Sequence, residues 1–327
     1  MDHPFNEPGQ RPPQIPQIRL EDMDFSRINR FVRWALLALA VILLLRGISW
    51  GRGFYVDWLW FGNLGYESVL LRVVSARVIL FLIGAVLFFV LAAPNLWIAH
   101  RATGEGMGER LAPEAYDAAR KLLFWVALGV LVLVAVLLAT QPAADWEQYL
   151  LYLEGLPFND TDPIFGRDFA FYIFTLPALS LARSWLLSAV VVILLVTGAY
   201  YYISMALKGE RFALSGKARV HLAVLACGLF VLIAIGHWLS RYDLLYSPTG
   251  AVFGVGYTDD HVTLPARTVM TFVALASAGL LLATAFTRKN KLLFWAVGGW
   301  LGLNLLGGSV LPALVQRLQV EPSELAK

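Results

Sequence analysis

A chain of 327 residues that is 58% hydrophobic, with a mean hydropathy of +0.65, carries more apolar surface than one soluble core hides, so a soluble domain is excluded. The net charge of +3 is too mild to mark a nucleic-acid partner, and the single cysteine, Cys227, excludes an internal disulfide framework.

The first thirty residues are polar, and Pro8, Pro12, Pro13 and Pro16 work against regular structure. Residues 1–30 therefore read as a disordered cytoplasmic tail, with 25–33 as an amphipathic lead-in. Seven apolar stretches follow, at 31–50, 73–99, 122–140, 182–205, 220–239, 264–286 and 292–315. Each is near or above the roughly 20 residues that a helix needs to cross the hydrocarbon. Lipid offers backbone groups no partner, so every span must be a helix. The expected fold is an all-α, seven-helix membrane domain over 31–315, with 316–327 as the truncated start of an extracytoplasmic segment. The first span is too long for the apolar core of a cleaved leader and is followed by no small-residue cleavage site, so it reads as a retained anchor.

Charge sets the orientation. Arg11, Arg19, Arg27, Arg30 and Arg33 lie in the N-terminal segment up to the start of the first span, Arg101, Arg110, Arg120 and Lys121 fill the second loop, Lys208, Arg211, Lys217 and Arg219 the fourth, and Arg288, Lys289 and Lys291 the sixth. Sixteen of the 26 basic residues thus fall on one side, which the positive-inside tendency makes cytoplasmic. The N-terminus is expected inside and the C-terminus outside, in the inner membrane of a bacterium.

The outer loops hold the unusual residues. Phe54 to Gly62 is too aromatic for a water-exposed loop and reads as a segment lying flat among the headgroups. Trp146, Tyr149, Leu150 and Leu153 follow helical spacing with Asp145, Glu147 and Glu154 on the other side, which predicts a short interfacial helix that Pro157 ends. An acidic, turn-rich run from Phe158 to Asp168 comes next, then the aromatic run from Phe169 to Phe174.

Three loop motifs carry a resemblance: Asp57-Trp58-Leu59-Trp60-Phe61-Gly62 with Gly65-Tyr66; Asp162-Pro163 with Phe165-Gly166-Arg167-Asp168 and Phe171-Tyr172; and Arg241-Tyr242-Asp243-Leu244-Leu245-Tyr246-Ser247 with Gly254 and Gly256-Tyr257-Thr258-Asp259. They resemble the outer-loop signatures of uncharacterised protein family 0182 from about residue 31 onward. The resemblance implies a bacterial integral membrane protein with seven N-terminal spans before a large extracytoplasmic domain. It implies no reaction and no catalytic residue. Members run on for hundreds of residues past the point where this chain stops, which points to truncation.

Four sets of residues are candidates for chemistry. Arg77, Arg183 and Arg267 each follow an alanine near the outer end of a descending span, and could converge on an anionic headgroup or lipid-linked phosphate; independent snorkelling or pairing with a carboxylate such as Asp168 or Asp243 is the more ordinary reading. Asp57, Asp162, Asp168, Asp243 and Asp259 are the outer-loop acids. Asp160-Thr161-Asp162 is formally a hard-cation pair with His261 as a nearby base, but a solvated Asx turn accounts for the same residues, and no metal or cofactor is assigned. The spans hold no Asp or Glu; His221 and His237 read as interfacial hydrogen-bonding residues, and a proton-coupled carrier is disfavoured. The last span, rich in glycine from Gly298 to Gly308 around Asn304, reads first as a close helix-packing face and second as a broken helix. Pro94 predicts a kink. The repeat of Lys-Leu-Leu-Phe-Trp at 121 and 291 is what membrane entry favours and implies no duplication. Phosphate-loop, zinc-protease and serine-hydrolase signatures are absent from the sequence.

The function expected from these features is to anchor or organise an extracytoplasmic domain or partner, with membrane lipids around it. The alternative is an enzyme or transporter acting on an anionic lipid or lipid-linked substrate at the outer leaflet.

Overall fold

The computed structural model describes residues 25–104, 113–209, 215–248, 253–287, 291–320 and 322. The predicted tail up to residue 24 falls outside them, as do Arg110, Arg211, Arg288 and Lys289 of the basic loops. Helices α1 (Phe25–Asn63), α2 (Glu67–Ala102), α3 (Pro113–Ala144), α4 (Trp146–Glu154), α5 (Leu176–Lys208), α6 (Gly216–Ser240), α7 (Leu264–Thr287), α8 (Lys291–Leu305) and α9 (Leu311–Val315) make an all-α structure, with no strand among the described residues.

Six helical segments are long and apolar enough to cross a membrane: Glu67–Ala102, Glu114–Ala144, Phe171–Lys208, Gly216–Ser240, Asp259–Thr287 and Lys291–Val320. They contain the second to seventh expected spans. The first lies within α1, a helix of 39 residues. Residues 54–62 are therefore not a loop: they are the last turns of α1, where Trp50, Phe54 and Trp58 follow one another at ring-centroid separations of 5.6 and 6.1 Å. The i, i+4 spacing of those rings suits a helix face, and continuing the helix keeps their backbone groups paired.

Apolar side chains cover the outside of the bundle. Val86, Val90, Leu133, Leu137, Leu195 and Phe272 are each more than half exposed, the pattern of a surface that meets lipid. The buried interior is narrow. Phe88, Ala92, Leu96 and Ala99, one face of α2, meet Leu131 and Ala135 of α3 and Trp185, Ala189 and Ile193 of α5. A second cluster joins Phe230 of α6, Ala278 and Leu281 of α7, and Ala296 of α8. Helix α5 contacts α2, α3 and α6, and so links the two clusters.

Small residues let backbones approach where no hydrophobic drive exists between helices in lipid. A Cβ at Gly84 would stand 3.0 Å from Pro142 Cγ and 3.3 Å from Ala139 Cα. Pro142 sits inside α3, lacks an N–H, and leaves the Leu138 carbonyl without its helical donor. The Trp185 indole N–H of α5 donates to that carbonyl at 3.0 Å. In the last span, the packing expected of the glycines is met at Gly307, where a Cβ would stand 3.7 Å from Ala266 Cβ of α7, and not at the earlier ones. A Cβ at Gly298, Gly299 or Gly302 would meet nothing within 4 Å, so these glycines do not seat a neighbouring helix of this chain. Instead, π-helical turns at Leu306–Val310 and Gln316–Val320 interrupt α8 and α9, the first of them over Gly307-Gly308-Ser309.

Candidate functional site

The loops after α4 and α6 fold together into a cap at one end of the bundle. Helix α4 forms as its spacing predicts and ends at Glu154, before Pro157. Gly155 turns the chain where a Cβ would run into the Phe174 ring. Arg72 of α2 pairs with Glu154 and holds the end of α4. Along α4 runs an open groove of about 570 Å³, lined by Trp146, Leu150, Leu151, Leu156, Phe158 and Phe174.

The acidic run after the groove is built around two carboxylates. Asp162 accepts backbone N–H bonds from Phe165 at 2.6 Å, Arg167 at 2.8 Å and Ile164 at 2.9 Å, and the Tyr172 hydroxyl donates to it at 2.7 Å. The residue is 1% exposed. The solvated turn expected there is thus a buried knot, because the loop folds its own amides and Tyr172 onto the carboxylate. Desolvation pushes the Asp162 carboxyl upward, and the bonds from Phe165, Tyr172, Arg167 and Ile164 outweigh it, so it stays below the ordinary carboxylate range. Asp168 takes N–H bonds from Ala170, Phe158 and Asn159, which lower its carboxyl as well. Thr161 and Asp168 form an antiparallel bridge that closes the loop, with Asn159 and Gly166 in the left-handed region at φ 60° and 64°. Asn is among the few residues besides Gly that visit that region readily.

Tyr172 carries the knot into the bundle. It packs with Leu176 and with Tyr242 just past α6, and Phe165 and Phe171 stand against Tyr242 at centroid distances of 4.8 and 5.1 Å. Loop, α5 and α6 are thereby joined through aromatic contacts.

The three arginines have different addresses. Arg77 of α2 lies over the Trp146 ring of α4 at 5.5 Å. Arg183 of α5 donates from Nε to the Leu232 carbonyl of α6 at 2.9 Å, and its guanidinium covers Gly236, where a Cβ would collide with it. Arg267 of α7 donates to the Ser240 carbonyl at the end of α6, and its acidic neighbours are Asp243 and Asp259. Arg183 and Arg267 both lie within electrostatic reach of His237. Asp243 keeps exposed surface, yet the protein mass around it desolvates its carboxyl and raises it, with Arg267 pulling the other way. Asp259 is buried and accepts the Gly256 N–H at 3.3 Å. His261 stacks on Tyr257 and stands 3.5 Å from Asp260. Asp57 belongs to the last turns of α1 and is exposed.

The sequence profile of the Uncharacterised protein family (UPF0182) matches residues 34–327. The chain belongs to that family. UPF0182 proteins of Desulforamulus reducens and Cupriavidus necator are 32% and 34% identical to it, over 88% and 92% of this chain and 33% and 34% of theirs. One from Streptomyces coelicolor is 30% identical over 98% of this chain and 33% of its own length. The chain therefore spans about a third of the length of these curated relatives. No solved structure matches it.

Other polar residues of this UPF0182 chain act inside the bundle, where the sequence marked His221 but none of its partners. Asn95 donates from Nδ2 to the Leu91 carbonyl at 2.7 Å, which turns its Oδ1 toward His221 Nε2 at 2.8 Å. A carbonyl only accepts, so Nε2 carries the proton, and Nδ1 of the neutral ring accepts from the Tyr201 hydroxyl at 3.0 Å. This chain of bonds ties α5, α6 and α2 together. His100 and Tyr200 make a second link, 2.6 Å long, between α2 and α5. Spacing alone could not reveal either one, since the partners are up to 126 residues apart.

Proposed function

We infer that this chain is a membrane-embedded scaffold that crosses the bacterial cell membrane seven times, N-terminus in the cytoplasm and C-terminus outside, and offers its cap as a platform for an extracytoplasmic domain or protein partner. The Asp162 knot carries this reading. A buried carboxylate satisfied by four donors holds a loop in one shape and leaves it no lone pair to spend on a substrate. Helix α1 supplies the seventh crossing, its expected span being 20 residues of apolar sequence. With seven crossings, the basic loops lie inside and the cap lies outside. Relatives about three times as long are consistent with a further domain that would occupy the platform.

The competing reading, a site for an anionic lipid-linked substrate at the outer leaflet, needs guanidiniums turned to a ligand. Arg183 and Arg267 instead spend theirs on main-chain carbonyls of α6, which favours the scaffold. Native mass spectrometry with lipid identification separates the two. Wild type and the Arg77→Gln, Arg183→Gln, Arg267→Gln triple variant should retain the same lipids, the variant melting at lower temperature; a specific lipid lost from the variant would overturn the scaffold in favour of the substrate site.

A further inference from the structure

Arg77, Arg183 and Arg267 all have addresses in the bundle, on the Trp146 ring, the Leu232 carbonyl and the Ser240 carbonyl. Arg46, a fourth arginine within an apolar span, has no partner among the described residues. It stands in the run Leu44-Leu45-Arg46-Gly47-Ile48 of α1 and is exposed, as are Leu44, Leu45 and Ile48 beside it. Helix rise fixes its depth. Arg33 and Arg52 lie about 28 Å apart along α1, which matches the roughly 30 Å of the hydrocarbon. Arg46 lies about 9 Å to the inner side of Arg52. At that depth its guanidinium must either bend back toward the headgroups or find a counter-charge within the apolar layer.

The chain does not supply that counter-charge. None of its seven apolar stretches contains Asp or Glu, so neither this copy nor a second one offers a carboxylate inside the hydrocarbon. The surroundings of Arg46 suit a helix as its neighbour. At helical spacing Arg46, Gly47, Trp50 and Phe54 share one side of α1, with Leu45 on the opposite side. A Cβ at Gly47 would meet nothing within 4 Å, and Trp50 is 68% exposed. The opening at Gly47 lets another backbone come close, and the stacked rings of Trp50 and Phe54, 5.6 Å apart, make an apolar wall beside it.

We propose that this side of α1 docks a transmembrane helix of a second protein that carries an Asp or Glu, its carboxylate pairing with Arg46 and its backbone closing on Gly47. Inside the hydrocarbon no water competes for the guanidinium, so the ion pair selects the partner and fixes the depth at which the two helices meet. The site requires α1 to cross the membrane and thus rests on the scaffold reading, to which it adds a partner within the membrane.

The test uses the full chain in intact bacterial cells, with a photoreactive phenylalanine at Trp50 and, as control, at Leu45. Irradiation should join Trp50, and not Leu45, to one polypeptide, which mass spectrometry of the adduct should show to hold an Asp or Glu inside an apolar span. Arg46→Leu leaves α1 more apolar and able to insert, and it should lower the yield about five- to tenfold, the loss expected for one interhelical polar contact. Arg46→Lys should restore part of the yield. Lipid adducts alone at Trp50 would mean that Arg46 snorkels, and would overturn the site. So would a polypeptide adduct that Arg46→Leu leaves unchanged, or a partner with no acidic residue in its span. Ser26→Cys and Asn63→Cys, each in a Cys227→Ser background, test the crossing separately with an impermeant thiol reagent. Labelling of Ser26→Cys from inside only and of Asn63→Cys from outside supports the crossing, and a missing adduct then counts against the docking site alone. Labelling of both from one side removes the crossing, and the site with it.

Discussion

At the scale of the residue, the tightest constraints fall on positions with little local signature. Gly236 is one. The Arg183 guanidinium covers it and reaches the Leu232 carbonyl, so Gly236→Ala should expel the arginine and cost about 1.5–3 kcal/mol, the worth of a hydrogen bond to a charged group. Thermal melting in detergent would show this, and the loss should not add to that of Arg183→Met; full additivity would mean that the two residues do not act through one contact. Asp162 is the other. Its folded carboxyl lies below the ordinary value of 3.8, so its stabilisation is complete above that value and drains as the pH falls through the folded value. Limited proteolysis between residues 155 and 170 should therefore stay slow down to about pH 4 and accelerate below it, whereas Asp162→Asn should be cut quickly even at neutral pH. Equal cleavage of wild type and variant at pH 7 would deny the knot its role. The sequence displayed Asp162 among turn formers but could not show its burial, because its fourth donor, Tyr172, arrives from the next helix.

Individual elements were legible wherever apolar length alone decides them. Six of the expected spans fall inside six long helices, and the amphipathic positions from Trp146 to Leu153 all lie in α4. Reading failed where one composition suits two structures. The aromatic run at 54–62 fits an interfacial loop or a helix end, and the unbroken hydrogen bonding of α1 selects the helix. Glycines in the last span fit close packing or a broken helix, and the segment is a continuous helix with π turns in which Gly307 faces Ala266 of α7 while Gly298, Gly299 and Gly302 face no neighbour among the described residues. Pro142 provides a test at this scale. Trp185→Phe should strand the Leu138 carbonyl and lower stability by about 1–3 kcal/mol. In a Pro142→Ala background, where a backbone N–H returns to that carbonyl, the same substitution should cost clearly less. An equal cost in both backgrounds would show that the indole contributes packing rather than a replacement hydrogen bond.

The whole molecule joins a bundle with an apolar outside and a narrow core to a cap whose shape is fixed by its own polar groups. The proposed orientation rests on the positive-inside charge of the loops, and in it the cap faces outward. None of the loop motifs revealed by itself that the segments after α4 and α6 meet, since Phe165 and Tyr242 are brought together only by the folded bundle. The polar bonds among Asn95, His221 and Tyr201 were hidden for the same reason. The platform is tested most directly by photo-crosslinking in intact cells, with the reactive residue placed at Leu156 or Phe253 on the cap, which are 77% and 83% exposed, and at Val86 on the bundle as control. The account predicts crosslinks from both cap positions to one defined extracytoplasmic polypeptide, within the same protein or in a partner, and crosslinks to lipid alone from Val86. Cap positions that yield only lipid adducts, or that label from the cytoplasmic side, would contradict it.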